Sequence, residues 1–275
     1  MMNKTHARFP GATALATLGI LVLSSCAART TATTAAASTT PQPSRPEATE
    51  VWSPVPRVVT PGSTNDTPPS DAIVLFDGTN LDQWVSVKDG SPAGWKVADG
   101  SLTVVKPAGD IATRRSFTNY QLHIEWRIPS TITGSGQARG NSGVFLASAD
   151  QGQNGYELQV LDSYGNTTYV NGQAGSIYKQ YPPLVNANRK PGEWQTYDVI
   201  WTAPTFNASG ALATPAYVTA VQNGVLIQNH VALKGMTLYI GTPSYKQHGA
   251  APIRLQAHGD PSEPISYRNI WLREL

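Results

Sequence analysis

The sequence predicts an all-β domain built as a two-sheet sandwich or jelly roll, and three observations carry that expectation. No long segment has helical periodicity. Short runs of alternating apolar and polar residues are broken repeatedly by turn formers, in a chain of 275 residues with 24 Gly and 21 Pro. Two of these turns are Asx-Gly pairs, Asp99-Gly100 and Asn223-Gly224, each flanked by strand-like sequence. Such pairs tolerate positive φ at both central positions of a tight hairpin. The first joins residues 95–98 to 101–105, and the second joins 217–222 to 225–228. Further strands are expected over residues 121–128, 142–147, 156–161, 197–201, 253–256 and 267–273. Alternation alone does not choose between sandwich topologies.

The first 70 residues do not read as part of that domain. Lys4, His6 and Arg8 give a basic start, followed by an apolar run from Ala14 to Leu23. That run is shorter than the roughly 20 residues a membrane span needs, so residues 1–25 are read as a signal peptide. Leu23-Ser24-Ser25-Cys26 resembles the bacterial lipobox, in which small residues precede the cysteine that receives lipid. Cys26 is therefore the expected lipidation site and the membrane anchor. Ala27 and Ala28 lack the Asp that often signals inner-membrane retention, which points to the outer membrane of a cell that has one. Residues 27–70 are rich in Thr, Ala, Ser and Pro, too poor in large apolar groups to offset their ordering entropy, and are expected to form a flexible spacer. Within them, residues 51–59 are more apolar and are expected along the domain edge. The folded domain is assigned to residues 71–275.

Composition excludes several classes. Cys26 is the only cysteine, so the mature domain holds no disulfide, cysteine–zinc site or cysteine nucleophile. Twenty Lys and Arg against 18 Asp and Glu leave a formal charge of +2, with no basic cluster of the kind a nucleic-acid partner requires. None of the five histidines has metal-ligand spacing.

Alternation sorts the chemistry onto strand faces. Over 156–162, Tyr156, Leu158 and Val160 share the core face, while Glu157 and Gln159 share the other. Over 121–128, Leu122, Ile124, Trp126 and Ile128 point inward, and His123, Glu125 and Arg127 point away, the last two expected as a lateral ion pair. Over 253–258, Ile253 and Leu255 are inward; Arg254, Gln256 and His258 share the opposite face. Three strands with ionisable residues on a non-core face make either a cleft for a polar ligand or an ordinary solvated sheet. Tyrosines favour the cleft, because their rings stack on sugar C–H surfaces and their hydroxyls bond sugar hydroxyls. Tyr164, Tyr169, Tyr178 and Tyr181 lie in a long Gly- and Asn-rich connection after Asp162, of the length that functional loops have. Trp84, Trp95, Trp126, Trp194 and Trp201 are assigned to the core.

The order of motifs resembles the 3-keto-disaccharide hydrolase domain family, also described as 3-keto-glucoside lyase/hydratase. The matching stretches begin with Leu75-Phe76-Asp77-Gly78-Thr79 and Asn141-Ser142-Gly143-Val144-Phe145, then Gly155-Tyr156-Glu157-Leu158-Gln159-Val160 and Gly175-Ser176-Ile177-Tyr178. Gly192-Glu193-Trp194, Arg254-Leu255-Gln256-Ala257-His258-Gly259 and Tyr267-Arg268-Asn269-Ile270-Trp271 complete them. The resemblance implies a concanavalin A-like jelly roll and substrates already oxidised to a ketone at sugar carbon 3. One departure is Ala257, where the family usually has Asp; alternation turns this position away from Gln256 and His258. A second is the stretch 260–266, a little longer than usual.

A ketone at C3 acidifies the C2 proton. Its removal gives an enediolate that expels the C1 substituent, and water addition completes a net hydrolysis. This requires one base, a stabiliser of the enolate oxygen and a proton source, not the two flanking carboxylates of ordinary glycosidases. Glu157 and His258 are the candidate catalytic pair, either one serving as base. Arg127 or Arg254 would stabilise negative charge, Asn141, Gln159 and Gln256 would orient hydroxyls, and Tyr178 is a candidate acid. Asp162 reads as a turn former or metal support. A divalent ion is compatible with this chemistry, but no ligand set is legible. The competing reading is a non-catalytic, lectin-like surface lipoprotein, which the same fold permits.

Overall fold

The computed structural model describes residues 42–152 and 154–275, in two units, residues up to Pro56 and Arg57–Leu275. The signal peptide, Cys26 and the first part of the spacer lie outside the described residues. In the first unit, Val51, Trp52 and Val55 are exposed and a short 3-10 turn spans Pro46–Thr49.

The second unit is a jelly-roll sandwich of antiparallel strands, with no α-helix among the described residues. In chain order the strands are β1 (Ile73–Phe76), β2 (Trp84–Ser86), β3 (Lys96–Ala98), β4 (Ser101–Thr103) and β5 (Ile111–Thr113). Next come β6 (Tyr120–Arg127), β7 (Ser142–Ala149), β8 (Asn154–Val160), β9 (Trp194–Thr202) and β10 (Thr205–Phe206). The last are β11 (Leu212–Thr214), β12 (Tyr217–Gln222), β13 (Val225–Ala232), β14 (Arg254–Leu255) and β15 (Ser266–Glu274). The larger sheet runs β13-β12-β9-β6-β15-β4-β3, with β1 also on β15; the smaller runs β2-β5-β14-β7-β8. β10 and β11 form a separate hairpin. Both Asx-Gly turns fold as expected: φ is 51° and 69° at Asp99-Gly100, and 52° and 82° at Asn223-Gly224.

The core lies between the sheets. Leu122, Ile124, Trp126, Tyr197, Val199 and Trp201 from the larger sheet meet Val144, Leu146, Tyr156, Leu158 and Val160 from the smaller, all fully buried or nearly so. Tyr197 carries its hydroxyl across the core to donate to the Gln159 carbonyl at 2.8 Å. Trp194 is the exception among the assigned core tryptophans. The parity that turns Tyr197, Val199 and Trp201 inward turns Trp194 outward with Asp198 and Ile200, and the guanidinium groups of Arg127 (4.5 Å) and Arg268 (4.2 Å) lie over its ring.

Part of the outer face of the larger sheet is covered. His123 is fully buried beneath Trp271, ring against ring at 5.2 Å, and its Nδ1–H donates to Asp198 at 2.7 Å. Glu125 accepts from Arg268 Nε at 2.6 Å and Asn269 Nδ2 at 2.8 Å, so its partner is Arg268 on the adjacent strand and not Arg127. Over this cluster lies part of the expected spacer. The Asp66 carbonyl accepts from Asn269 Nδ2 and Trp271 Nε1, and Asp71 pairs with both Arg57 and Arg273. Residues 57–70 thus fold back onto the sheet, held by polar contacts to β15 that an apolar-content argument does not see.

Burial alone would lower the His123 imidazole pKa, but its bonds to Asp198 and Glu125 outweigh that and raise it to about 9. Burial likewise pushes Glu125 up, yet His123, Asn269 and Arg268 hold it at about 2. A raised histidine pKa contributes stability that is full below the unfolded value of about 6.5 and is lost as pH rises through about 9. Thermal unfolding between pH 6 and pH 10 is therefore expected to show a Tm decrease on the alkaline side, and the decrease should shrink in His123→Gln.

Candidate functional site

The outward face of the smaller sheet carries a cleft of about 260 Å³, lined by Asn141, Phe145, Glu157, Gln159, Tyr178, Thr237, Tyr239, Arg254, Gln256 and His258. Its floor follows from strand register. Arg254 on β14 is opposite Phe145 on β7, and Phe145 is opposite Glu157 on β8. One step along, Gly143 is opposite Gln159 and its carbonyl accepts from the Gln256 N–H. Two rows of side chains therefore point out of the sheet. A Cβ at position 143 would lie 2.4 Å from Glu157 Oε1, so this glycine is the space into which the carboxyl fits.

Two loops wall the floor by pairing with β8. Gln159 N–H donates to the Ser176 carbonyl and Tyr178 N–H to the Glu157 carbonyl, which sets Tyr178 beside Glu157. Thr237 N–H donates to the Gly155 carbonyl, and its hydroxyl accepts from the Glu157 N–H at 3.0 Å. The loops cover the free edge of β8, and Glu157 is only 5% exposed.

Among the described residues, no protein group hydrogen-bonds the Glu157 carboxyl. Burial raises its pKa to about 8, with Arg254 opposing and Asp110 adding to the rise. Arg254 packs its guanidinium 3.5 Å from the centre of the Phe145 ring, and gives Nη1–H to Asp110 at 2.5 Å and Nε–H to Ser148 at 3.2 Å. The side-chain oxygens of Gln159 and Gln256 are buried and have no partner among the described residues. These are unused acceptors of the kind a polyhydroxylated ligand satisfies. Gln159 Nε2 donates to Asn141 Oδ1 at 3.2 Å, which fixes the amide orientation.

His258 lies at the rim, its side chain 38% exposed, with Nδ1 3.1 Å from Asp260 Oδ2. Asp260 is buried and receives Ser262 N–H at 2.9 Å, the Ser262 hydroxyl, and Lys106 Nζ at 3.3 Å. Burial pushes its carboxyl up, but the Ser262 and His258 bonds outweigh this and keep it below the usual range.

Of the residues singled out from sequence, Glu157, His258, Asn141, Gln159, Tyr178, Arg254 and Gln256 all line this cleft. Arg127 does not. It sits on β6 of the other sheet, over Trp194, beside a separate cavity with Pro129, Ser130, Gly192 and Ser266. Periodicity gives a face but not the sheet to which the face belongs. Tyr178 is bonded hydroxyl to hydroxyl with Tyr169 at 2.6 Å, and burial together with that bond raises its pKa well above the ordinary value, which makes it a poor proton donor. Asp162 is buried under Arg139 at 2.6 Å and caps the following turn through Tyr164 N–H, the turn-forming role expected of it. Ala257 packs toward the core, and its N–H donates to Asp110 at 2.8 Å. Asp110, Phe145, Thr237, Tyr239 and Asp260 were not singled out, because only the fold brings these parts of the chain together.

No group of three or more His, Cys, Asp or Glu able to hold a metal occurs among the described residues. Glu157 and His258 are the only such side chains lining the cleft, and Asp110 is engaged by Arg254. No step is derived through a metal ion.

A jelly-roll sandwich with a polar, tyrosine-rimmed cleft on its smaller sheet is a carbohydrate-active architecture. The chain matches the model of the 3-keto-alpha-glucoside-1,2-lyase-like domain over residues 71–273 and belongs to that family. It is 59% identical to a protein of Parabacteroides distasonis ATCC 8503 described as a "putative glycosyl hydrolase", with a TM-score of 0.78 over 83% of this chain and 96% of that one. Two further structures from that organism with the same description are 22% and 20% identical, with TM-scores of 0.54 and 0.52; each match covers 74% of this chain, and 99% and 94% of theirs. These two share the fold. Among curated proteins none matches the chain.

A Glu157 pKa raised from 4.5 to about 8 means that ionisation is resisted in the folded state. The associated stability is full below the unfolded pKa and is lost as pH rises through about 8, a difference of a few kcal/mol. Relative to the native protein, Glu157→Gln should gain Tm progressively between pH 5 and pH 8.5. A difference independent of pH would contradict the assignment.

Proposed function

We propose that the domain cleaves 3-keto-glycosides by abstraction of the C2 proton and elimination of the C1 substituent, with water addition completing a net hydrolysis. The observation that carries this is the Glu157 carboxyl, buried in the cleft wall with no protein hydrogen bond and with its pKa pushed up to about 8. A carbohydrate-binding surface has no use for such a group, whereas a base that must remove a carbon-bound proton is strengthened by it.

In this reading Glu157 takes the C2 proton. Arg254, its guanidinium steadied by Asp110 and Ser148, faces the enediolate with its remaining N–H capacity. Gln159 and Gln256 accept bonds from ring hydroxyls through their unpartnered oxygens. His258, oriented by Asp260, protonates the departing oxygen and later activates water. The lone cleft carboxylate supports this route over a two-carboxylate glycosidase mechanism.

With 3-keto-glucosides as substrates, Glu157→Gln should lower kcat by at least about a hundredfold with KM little changed. In the native protein kcat/KM should rise with pH up to about 8, because the deprotonated form of Glu157 is the active one. Full activity in the variant, or conversion of unoxidised glucosides at an equal rate, would sink the proposal. Bound but unconverted sugar with every 3-keto-glycoside would favour the lectin-like alternative.

The proposal extends to location. Lipidation at Cys26 would tether the domain at a membrane through the spacer, facing the periplasm or exterior. Cys26→Ser is expected to move the protein from the detergent phase to the aqueous phase in a partition assay; an unchanged partition would remove the anchor from this account.

A further inference from the structure

Three tyrosine rings converge on one ammonium group at the mouth of the cleft. Lys179 Nζ lies 4.2 Å from the centre of the Tyr239 ring, 5.5 Å from that of Tyr169 and 5.8 Å from that of Tyr178. The same Nζ donates to the Tyr239 carbonyl at 2.7 Å. The backbone is bent to make this arrangement: Lys179 has φ of 57°, a left-handed conformation uncommon outside glycine, and its N–H is tied to the Asn171 carbonyl at 2.8 Å. Gly172 completes the packing, since a Cβ there would lie 2.1 Å from the Tyr169 ring.

Tyr239 is thus fixed from one side and open on the other. It is 70% exposed, and Ile240 beside it is 82% exposed. Tyr239 and Tyr178 line the same cleft as Glu157, so this apolar rim continues the site. At this rim the ammonium is committed to Tyr239 and the Tyr178 hydroxyl to Tyr169. What the rim offers is a rigid flat face with an aliphatic neighbour. A cation over one face of a tyrosine draws on its π density, which favours an electron-rich ring on the opposite face.

We infer that Tyr239, backed by Lys179, is the platform on which an aryl leaving group stacks, so that glycosides of phenolic alcohols are preferred over those of small aliphatic alcohols. This inference rests on the reaction proposed above and adds the class of its leaving group.

The test compares phenyl and methyl 3-keto-glucosides in the native protein and in Tyr239→Ala, Tyr239→Phe and Lys179→Met. Tyr239→Ala should raise KM for the phenyl compound about 3- to 10-fold and leave its kcat and the methyl compound's parameters nearly unchanged. Tyr239→Phe should retain native KM, and Lys179→Met should show a partial loss confined to the phenyl compound. Equal effects on both substrates, or a Tyr239→Phe loss as large as that of Tyr239→Ala, would overturn the platform. If the native protein converts neither compound, the proposed reaction fails but the platform is still decided by calorimetric binding of phenyl and methyl glucosides. A phenyl preference lost in Tyr239→Ala supports it, and no preference overturns it.

Discussion

A largely buried carboxyl group with no protein hydrogen-bond donor is costly to ionise in any folded protein, and the cleft is organised around that constraint at Glu157. The side chain reaches its position because Tyr156, Leu158 and Val160 on the same strand are committed to the core. Gly143 leaves the volume it occupies. The Tyr178 and Thr237 loops pair with β8 through backbone groups on either side of it, so the strand is covered while the carboxyl itself is left without a donor. Tyr197, reaching across the core to the Gln159 carbonyl, ties the strand to the larger sheet. Most proteins would supply such a carboxylate with an arginine. Here the neighbouring Arg254 is turned to Asp110 and Ser148 instead.

The opposite sheet is an internal comparison. Glu125 is as buried as Glu157 and likewise faces away from the core, yet it is surrounded by His123, Arg268 and Asn269 and is held at about 2 where Glu157 is raised to about 8. Two glutamates on the outward faces of two strands, with the same solvent exposure, differ in ionisation because one has donors and the other, more deeply desolvated, has none. The first arrangement fastens residues 57–70 to the sheet by way of Asn269 and Trp271. The second leaves a carboxyl whose pKa is raised to about 8.

Much of this was legible in the sequence. The two hairpins and the faces of β8 and β14, with Glu157, Gln159, Arg254, Gln256 and His258 on them, follow from Asx-Gly turns and period-two alternation, whereas Asn141 is marked by the family-like motif and Tyr178 by the tyrosine-rich connection. Arg127 was misplaced because alternation does not say which sheet a strand joins; β6 is central in the larger sheet, and its outward face is turned away from the cleft. Trp194 could have been placed by parity with Tyr197, and was assigned by residue type instead. Asp110 and Asp260 had no local signal, since each acts on a side chain whose position depends on long-range strand pairing. The docking of residues 57–70 was hidden for a related reason: it uses a backbone carbonyl and ion pairs, which composition does not register.

The ionisation of Glu157 can be observed directly. In protein carrying carboxyl-labelled glutamate, the ¹³C resonance that disappears in Glu157→Gln should titrate with a midpoint near 8. A midpoint near 4.5, the ordinary value for glutamate, would mean that the carboxyl is solvated or paired and would contradict the central claim.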